Sequence, residues 1–315
     1  MIVTLTLNPS LDRSVEVGAL TRGAVIRATS THLDPGGKGV NVTRALLANG
    51  VKSRAVLPSG GYEGDQLVRL LAADGVDVVA VPIALPTRSN ITIVEPDGLV
   101  TKVNEPGATL TPAEFDRVAK AVLECTDSAD WVVMCGSLPP HEPAGVYAEL
   151  CDRFTGAGIR VAVDTSGPPL LAAVAARPAL VKPNLEELEE AVGRPVTTLG
   201  DAVRAAQELH ALGAGAVLVS LGADGAVLVD ADGVLTGQAP VAFPRNPVGA
   251  GDAMLAGFLA AGARGAGALT EALAWGAAAV TLPGSGMPGS ADIHREAVRI
   301  DPAYDPNTLL RSRTS

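Results

Sequence analysis

Short apolar runs alternate along most of the chain with longer stretches whose apolar residues recur at helical spacing. The short runs predict buried strands, and the longer stretches predict helices with one buried face. This alternation predicts an α/β protein whose mainly parallel, doubly wound sheet carries helices on both faces. We expect strands at 2–7, 53–58, 76–82, 130–136, 159–166 and 216–222, and helices near 39–50, 64–73, 112–125, 143–155, 200–212 and 250–263.

Two segments interrupt the alternation, at residues 13–32 and 87–104. Both alternate apolar with polar residues and lack helical spacing, and the second contains the turn signal Pro96-Asp97-Gly98. We expect them to form a small antiparallel sheet that projects from the main body. Such a sheet would act as a lid over a site or as an edge that pairs with a second chain.

The length of the chain, 315 residues, is long for one domain and short for two large ones. No linker of low complexity divides it, so we expect a single domain over residues 1–302 that includes the discontinuous lid. We expect a C-terminal tail, 303–315, to be loosely held.

Charge and composition exclude several classes of protein. The formal net charge is −10 and no basic stripe is present, which argues against nucleic acid as a partner. The four histidines show no metal-binding spacing, and the three cysteines include no C-x-x-C pair. Sparse cysteines, a start without a signal-peptide pattern and the lack of a long apolar run predict a cytoplasmic protein with no membrane partner.

The stretch NPVGAGDAML (246–255) places small residues directly before an apolar helical pattern. Free N–H groups at a helix start attract an anion, yet the carboxylate of Asp252 stands among them. Asp252 has a use if the site stabilises a group in transfer, because it would take a proton from an attacking hydroxyl while the N–H groups of 249–252 hold developing negative charge. The alternative is that Asp252 caps the helix. The stretch is not a dinucleotide fingerprint, because Met254 stands where G-x-G-x-x-G requires glycine.

A second glycine-rich stretch, DPGGKGVN (34–41), precedes the first predicted helix. Gly36 and Gly37 would allow the backbone to approach a ligand closely. Lys38 would supply positive charge, and Asn41 a hydrogen bond. A strand-to-helix turn with a solvated lysine is the alternative, and the stretch is not a P-loop, because a glycine follows the lysine.

Three further stretches leave strands with polar or small residues. In LVKPNLEELEE, Asn184 and Glu187 share a helix face and could position Mg²⁺ with its waters. The alternative is a helix with acidic residues in its first turns, which the helix dipole favours. VSLGADGAVLV predicts a strand, a turn and a strand, and its small residues would admit a flat ring or a phosphate. Asp12, in LTLNPSLDRS, is in most proteins a turn residue.

Together and in this order, these stretches resemble the ribokinase-like (PfkB) family of sugar kinases, over nearly the whole chain to about residue 300. The elements that carry the resemblance are TLNPSLD, DPGGKGVNVTRAL, NEPG, GSLPP, VKPNLEEL, VSLGADGA and VGAGDAMLAGF. Within the family, NPSLD, GGKGVN and NEPG look most like the 1-phosphofructokinases and tagatose-6-phosphate kinases. The resemblance implies a doubly wound α/β body with a β-sheet lid. It also implies ATP-dependent phosphorylation of a sugar phosphate, with fructose 1-phosphate favoured over tagatose 6-phosphate and fructose 6-phosphate.

The resemblance further implies the ligands ATP and Mg²⁺, a homodimer through the lid, and roles for single residues. Asp252 would be the general base, with the backbone of Gly249, Ala250 and Gly251 as the anion hole. Glu187 would organise Mg²⁺ through water. The sugar phosphate would be contacted by Asp12, Gly37, Lys38, Asn41, Arg88, Asn90 and Ser137, and the nucleotide by Lys182, Asn184, Ser220, Gly222 and Gly225.

The chain departs from the family pattern at two positions. Pro247 stands where Ser or Thr is common and lacks an N–H donor, and His141 ends GSLPPH where glycine is usual. Rival functions make different demands. A kinase of nucleosides or unphosphorylated sugars would not need Lys38 and Arg88 near each other. A nonenzymatic nucleotide-binding regulator would be expected to lack a carboxylate like Asp252.

Overall fold

The structure, a computed structural model, describes residues 1–96, 98–127, 129–284 and 286–311. Its strands are β1 (Ile2–Leu5), β2 (Ser10–Glu16), β3 (Ser30–Gly36), β4 (Ser53–Ser59), β5 (Val78–Pro82), β6 (Arg88–Val94), β7 (Val100–Asn104), β8 (Trp131–Cys135), β9 (Arg160–Asp164), β10 (Leu180–Val181), β11 (Val217–Ser220), β12 (Ala226–Asp230), β13 (Gly233–Gln238) and β14 (Arg299–Asp301). Its α-helices are α1 (Lys38–Ala48), α2 (Gly61–Ala73), α3 (Pro112–Glu124), α4 (Val146–Gly156), α5 (Pro168–Ala175), α6 (Leu185–Val192), α7 (Leu199–Leu212), α8 (Ala250–Ala260) and α9 (Gly265–Val280).

The large sheet contains ten strands in the order β14-β13-β12-β11-β10-β9-β8-β1-β4-β5. The strands from β11 to β5 run parallel, and β12, β13 and β14 extend the sheet antiparallel. The doubly wound, mainly parallel sheet predicted from the sequence is therefore confirmed. Because the chain winds outward in both directions from β1, the strand order reverses there, and ligands of such sheets bind at the carboxyl ends of the strands beside this reversal.

Helices cover both faces of the sheet because successive strand residues point to opposite sides. Val3 and Leu5 of β1 pack under α3–α7, whereas Ile2 packs under α1, α8 and α9. Small side chains let α8 and α9 approach closely, since a Cβ on Gly257 would lie 2.8 Å from Cγ of Trp275. The cysteine thiols are free and buried, at Cys125, Cys135 and Cys151.

A second, four-stranded sheet has the order β3-β2-β6-β7 and uses both segments that interrupt the alternation. It differs from the expected antiparallel sheet, because β2 and β6 pair in parallel while the outer pairs are antiparallel. The cause is topological: β2 and β6 both leave the large sheet at its carboxyl edge and so extend in the same direction. Part of the predicted turn at 96–98 lies outside the described residues, at Asp97.

The C-terminal segment is held more tightly than we expected. Its backbone pairs with the start of α7, where Leu199 N donates to Thr308 O at 2.9 Å and Leu310 N to Thr197 O at 2.9 Å. Leu310 is only 7% exposed and belongs to the apolar core. The rest of the expected tail, 312–315, lies outside the described residues. In the described part of the chain, no helix combines the length and apolar character needed to cross a membrane.

Candidate active site

The start of α8 lies at the carboxyl edge of the large sheet. Its N-cap is Gly249, whose φ of 80° lies in the left-handed region that glycine adopts readily. Asp252 stands one turn further on, is 6% exposed, and accepts a hydrogen bond from Nδ2 of Asn41 at 2.8 Å. Its carboxylate is therefore directed toward α1, and the N-cap position belongs to Gly249. The helix-capping alternative for Asp252 is wrong.

Burial raises the pKa of Asp252 to about 6, and repulsion from Asp164 adds to this shift. The Asn41 hydrogen bond and the nearby lysines oppose it. A carboxyl group with this pKa is largely ionised at neutral pH yet far more basic than an ordinary aspartate. These are the properties that a general base requires.

Beside Asp252, a second buried carboxylate bridges two lysines. Asp164 ends β9, is fully buried, and lies 2.7 Å from Nζ of Lys38 and 2.9 Å from Nζ of Lys182. Burial alone would raise the pKa of Asp164, but the two lysines hold it below its ordinary value. Sequence reasoning missed Asp164. Its signal was a single carboxylate at the end of the apolar run VAV, at the edge where the other candidate residues lie.

Lys38 joins this pair of carboxylate and lysine. Its Nζ is 3.2 Å from Oε1 of Glu187 as well as 2.7 Å from Oδ1 of Asp164. Burial alone would lower the pKa of Lys38, but the two carboxylates raise it above its ordinary value, so the side chain is a fixed cation. Its side-chain hydrogen bonds join it to the carboxylates of Asp164 and Glu187.

At the start of α6, Asn184 and Glu187 cap the helix, and Glu187 also directs one carboxylate oxygen into the cleft. Asn184 Oδ1 accepts from Glu187 N at 2.8 Å, while Oε2 of Glu187 accepts from Asn184 N at 2.9 Å, which forms a capping box. The other oxygen of Glu187 faces Lys38 in the cleft. Among the described residues, no cluster of three or more His, Cys, Asp and Glu side chains could hold a metal ion by itself. The carboxylate of Glu187 in the cleft fits Mg²⁺, because protein sites commonly hold this ion through one or two carboxylates together with substrate phosphates.

On the other side of the cleft, the small sheet presents polar residues toward the site. Asp12 Oδ1 accepts from Ser10 Oγ at 2.7 Å and from Asn90 Nδ2 at 2.9 Å. Asp12 also packs against Gly36, where any Cβ would collide with the carboxylate. Ser137 contacts this region through Asn8, whose Nδ2 lies 3.4 Å from its Oγ.

Arg88 begins β6 beside a cavity of about 240 Å³ formed by residues 85–88 and 105–108. Its terminal nitrogens donate to Asn8 O and Glu105 O, both at 3.1 Å. Two buried polar atoms on this side, Arg88 Nε and Asn90 Oδ1, have no hydrogen-bond partner within the described chain, and neither has Asn41 Oδ1 beside Asp252. Burying a polar atom without a hydrogen-bond partner costs free energy, so a ligand that supplies these partners would bind here with higher affinity.

The predicted nucleotide residues line the neighbouring strand ends. Asn184 and Ser220 form an isolated parallel bridge, which joins the start of α6 to the end of β11. Gly222 and Gly225 flank the following turn with φ of 59° and 93°, and a Cβ on Gly225 would collide with the Gly237 carbonyl. Lys182 lies deeper, below the start of α8, where its Nζ would be 3.3 Å from a Cβ at residue 251.

The two departures from the family pattern have clear local structures. His141 adopts φ of 68°, so it occupies a left-handed conformation that glycine adopts at less cost. Pro247 contributes its carbonyl, which accepts from Ala250 N at 3.2 Å at the start of α8. Neither residue contacts Asp252 or Lys38 in the described hydrogen bonds.

Known proteins are similar to this chain over most of its length. The model of the pfkB family carbohydrate kinase matches residues 5–288. A 1-phosphofructokinase of Rhodobacter capsulatus is 41% identical over 268 residues, which are 84% of this chain and 84% of that protein. The ATP-dependent 6-phosphofructokinase isozyme 2 of Escherichia coli is 39% identical over 257 residues, 81% of this chain and 83% of that protein.

Solved structures agree with these sequence relatives. The phosphofructokinase-2 of Escherichia coli in complex with potassium superposes with a TM-score of 0.87 at 36% identity, covering 92% of this chain and 96% of that one. The ribokinase-like fold expected from the sequence is confirmed.

Proposed function

The chain belongs to the pfkB family of carbohydrate kinases, and we propose that it transfers the γ-phosphoryl group of ATP to fructose 1-phosphate. The products are fructose 1,6-bisphosphate and ADP. One observation carries the catalytic assignment: the carboxylate of Asp252 is buried, basic and held by Asn41 beside the start of α8. In this family setting, such a carboxylate is placed to accept a proton from the sugar hydroxyl.

The reaction follows from this placement. The sugar hydroxyl gives its proton to Asp252 as its oxygen forms a bond to the γ-phosphorus. The bond from that phosphorus to the β–γ bridging oxygen breaks, and ADP leaves with the electron pair. The N–H groups of Gly249, Gly251 and Asp252 would hold negative charge on the group in transfer, because they lie at the free end of the helix, and the N–H of Ala250, which donates to Pro247 O, would turn to join them. Catalysis then consists mainly of positioning and charge stabilisation.

The two lysines beside Asp164, one half-buried and one buried, extend this charge stabilisation. Lys38 and Lys182 share Asp164, so both ammonium groups are held at the edge where the phosphates would lie. Glu187 would hold Mg²⁺ through water together with the ATP phosphates, and the metal would supply neutralisation of phosphate charge. We expect the nucleotide beside Ser220, Gly222 and Gly225, with Asn184 near its phosphates.

The lid side would bind the sugar phosphate. Arg88 lies at a cavity beside the small sheet and keeps its Nε unpaired, so we assign it to the phosphate that the substrate already carries. Asp12 and Asn90 would bind sugar hydroxyls, with Gly37 allowing close approach and Ser137 beside them. Closure of the small sheet over the site would exclude water, so that ATP is not hydrolysed instead.

Fructose 6-phosphate is the second candidate acceptor, and the Escherichia coli relative named 6-phosphofructokinase isozyme 2 favours it. Fructofuranose carries a CH₂OH-type arm on each side of its ring oxygen. A sugar with phosphate on one arm can therefore turn and present the other arm to Asp252. Tagatose 6-phosphate differs in the configuration of one hydroxyl, and so it is a third acceptor to compare.

A coupled ADP-release assay over these three sugar phosphates, with fructose and ribose as unphosphorylated controls, tests the assignment. We expect the highest kcat/KM with fructose 1-phosphate. A higher value with either of the other sugar phosphates would overturn the acceptor assignment and leave the kinase assignment intact. ADP release that no sugar accelerates would overturn the kinase assignment itself.

The outer face of the small sheet supports a homodimer. Side chains alternate across each strand, so Ile91 and Val103, which pair across β6 and β7, share the face opposite Asp12 and Asn90. They are 38% and 54% exposed. We expect a dimer by light scattering, and Val103→Glu to yield monomers. A monomeric unaltered protein would contradict this assembly.

A further inference from the structure

The described part of the C-terminal segment reaches the turn between β11 and β12, on the proposed nucleotide side of the site. After β14, its backbone pairs with the start of α7, including a bond from Gly200 N to Pro306 O at 3.0 Å. Leu310 then enters the core at 7% exposure. These contacts deliver the next residue, Arg311, to the turn between β11 and β12.

Arg311 meets a single buried carboxylate there. Its backbone N–H donates to Oδ2 of Asp224 at 2.6 Å, and its Nε donates to Oδ1 at 3.0 Å. The Asp224 side chain is 6% exposed, whereas that of Arg311 is 73% exposed. Charge-assisted bonds to a buried carboxylate are among the stronger contacts in proteins, so this pair anchors the turn to the distant end of the chain.

The turn itself offers few other anchors. Its residues are Gly222, Ala223, Asp224 and Gly225, so Asp224 has the only polar side chain among them. Both glycines have positive φ. Three backbone bonds lie within the turn, from Leu221 N to Gly225 O at 2.8 Å, from Asp224 N to Leu221 O at 3.1 Å and from Gly225 N to Gly222 O at 3.2 Å, and Gln238 Nε2 donates to Asp224 O at 3.4 Å. Glycine-rich backbone is conformationally free, and its position depends on what holds the neighbouring residue.

We propose that Arg311 is a positioning residue for the nucleotide: by clamping Asp224, it holds the 222–225 turn in the conformation that receives ATP. The inference rests on the proposed function, because that function places the nucleotide beside this turn. Arg311 need not touch the nucleotide. Its effect passes through Asp224 to the turn backbone, so it should appear in nucleotide affinity and leave the sugar side unchanged.

The test compares Arg311→Ala with Arg311→Lys, which keeps the charge, and with a matched control. Arg264 forms a comparable two-bonded pair with Asp232, both at 2.6 Å, beyond the opposite end of β12. We expect Arg311→Ala to weaken ADP binding in calorimetry by about 5-fold to 30-fold and to raise the KM for ATP similarly. The kcat and the KM for the sugar phosphate should stay within about twofold. Arg311→Lys should recover part of the loss, and Arg264→Ala should match the unaltered protein.

Asp224→Asn removes the charge from the other partner and should reproduce the loss of ADP affinity. If both variants bind ADP within about twofold of the unaltered protein, the clamp is overturned. A changed KM for the sugar phosphate with unchanged ADP affinity overturns it too. A lower melting temperature alone, without loss of ADP affinity, assigns the pair to stability and again overturns the proposal. ADP binding is measured without turnover, so the two proposals can fail separately. An unaltered protein that binds ADP yet phosphorylates no sugar contradicts the kinase assignment, and the ADP affinities of the variants still decide whether Arg311 positions the turn.

Discussion

The two sides of the cleft treat buried polar groups in opposite ways. At the catalytic centre, Asp164 is paired with both Lys38 and Lys182, and Asp252 is bonded to Asn41. On the lid side, buried polar atoms of Arg88 and Asn90 have no partner within the described chain. The charged groups of the centre are already paired by the fold, with Asn41 Oδ1 left open beside Asp252, whereas Arg88 and Asn90 on the lid side are completed by what binds there.

This difference teaches how the free energy of each side is used. Charges that are fixed in advance lower the cost of reorganisation when a phosphoryl group is transferred. Unpaired polar atoms instead favour a ligand that matches them, which increases affinity and selectivity. Substitutions at the centre should therefore change turnover and stability, and substitutions on the lid side should change substrate affinity.

The largest effect is expected from Asp252→Asn, which keeps the shape of the side chain and removes the base. Turnover should fall roughly 10²-fold to 10⁴-fold, with smaller changes in the KM for ATP and sugar phosphate. The raised pKa means that the folded state favours the protonated form of Asp252. The contribution of this protonated carboxyl to the free energy of unfolding is therefore lost as pH rises through about 6. At pH 7.5 the variant should melt no lower than the unaltered protein. Steady-state kinetics beside a thermal melt checks both points, with the exposed Asp116→Asn as control, and retention of more than about a tenth of kcat would exclude the base role.

Asp164→Asn should produce the largest loss of stability. It leaves the buried Lys182 without the counter-ion that it shares with Lys38, while the half-buried Lys38 keeps Glu187, and breaking a buried pair from one side costs about 3–5 kcal/mol in unfolding free energy. Urea unfolding measures this loss. The control is Glu208→Gln, which breaks an exposed pair with Arg194 and should change stability little. Equal stability changes in the two variants would contradict the idea of a pre-assembled centre.

Lys38→Met tests which side of the cleft this lysine serves. Because its ammonium group is fixed among the carboxylates of the centre, we expect the main loss in kcat, about 10-fold to 100-fold for a lost charged interaction of 1.5–3 kcal/mol. If Lys38 instead binds the phosphate that the substrate already carries, the KM for sugar phosphate rises and kcat stays nearly constant. Separate kcat and KM values therefore decide between the two roles.

Arg88→Ala should show the reverse division. We expect the KM for the sugar phosphate to rise by about 10-fold to 100-fold, from the loss of a charged interaction, with kcat and the KM for ATP nearly unchanged. Arg204→Ala is the matched control, because Arg204 is an exposed arginine of α7, outside the small sheet. A fall in kcat as large as that of Lys38→Met would erase the distinction between the two sides.

The smallest effect concerns pH. Asp252 must be ionised to accept a proton, so kcat/KM should fall about tenfold per pH unit below an apparent pKa near 6. The profile should be flat from about pH 7 to 8. A profile that stays flat down to pH 5 would mean that no group with this pKa controls the reaction of the free enzyme.

Much of the fold was predictable because the strands of the large sheet are short apolar runs and most helices have apolar residues at helical spacing. The strands β13 and β14 and the helices α5 and α9 were missed. Both helices are apolar on nearly every side and so show no helical spacing, whereas α8, which is equally apolar, was recognised by its glycine-rich start. The parallel pairing of β2 with β6 was also missed, since it depends on where distant strands leave the large sheet and not on either segment alone.

The candidate site was predictable where a motif marks it. Sequence motifs led to Asp252 and Arg88 because each lies in a stretch typical of the family. Asp164 carries no such motif, and the partners of Lys38 depend on the meeting of β9, α6 and α1 in space. Ion pairs between residues more than a hundred positions apart are set by the fold, so the pattern of residues near either partner does not predict them.

The three buried thiols make it possible to measure local unfolding of the protein by chemical labelling. Burial raises the pKa of Cys135 and Cys151, so little reactive thiolate exists while the protein is folded. Cys135 ends a central strand directly beside the catalytic centre, Cys151 lies in α4, and Cys125 follows α3 nearer the surface. An alkylating reagent therefore reaches each sulfur only when the region around that cysteine unfolds locally. The order in which Cys125, Cys151 and Cys135 are labelled ranks how often the end of α3, the helix α4 and the centre of the large sheet are exposed to solvent.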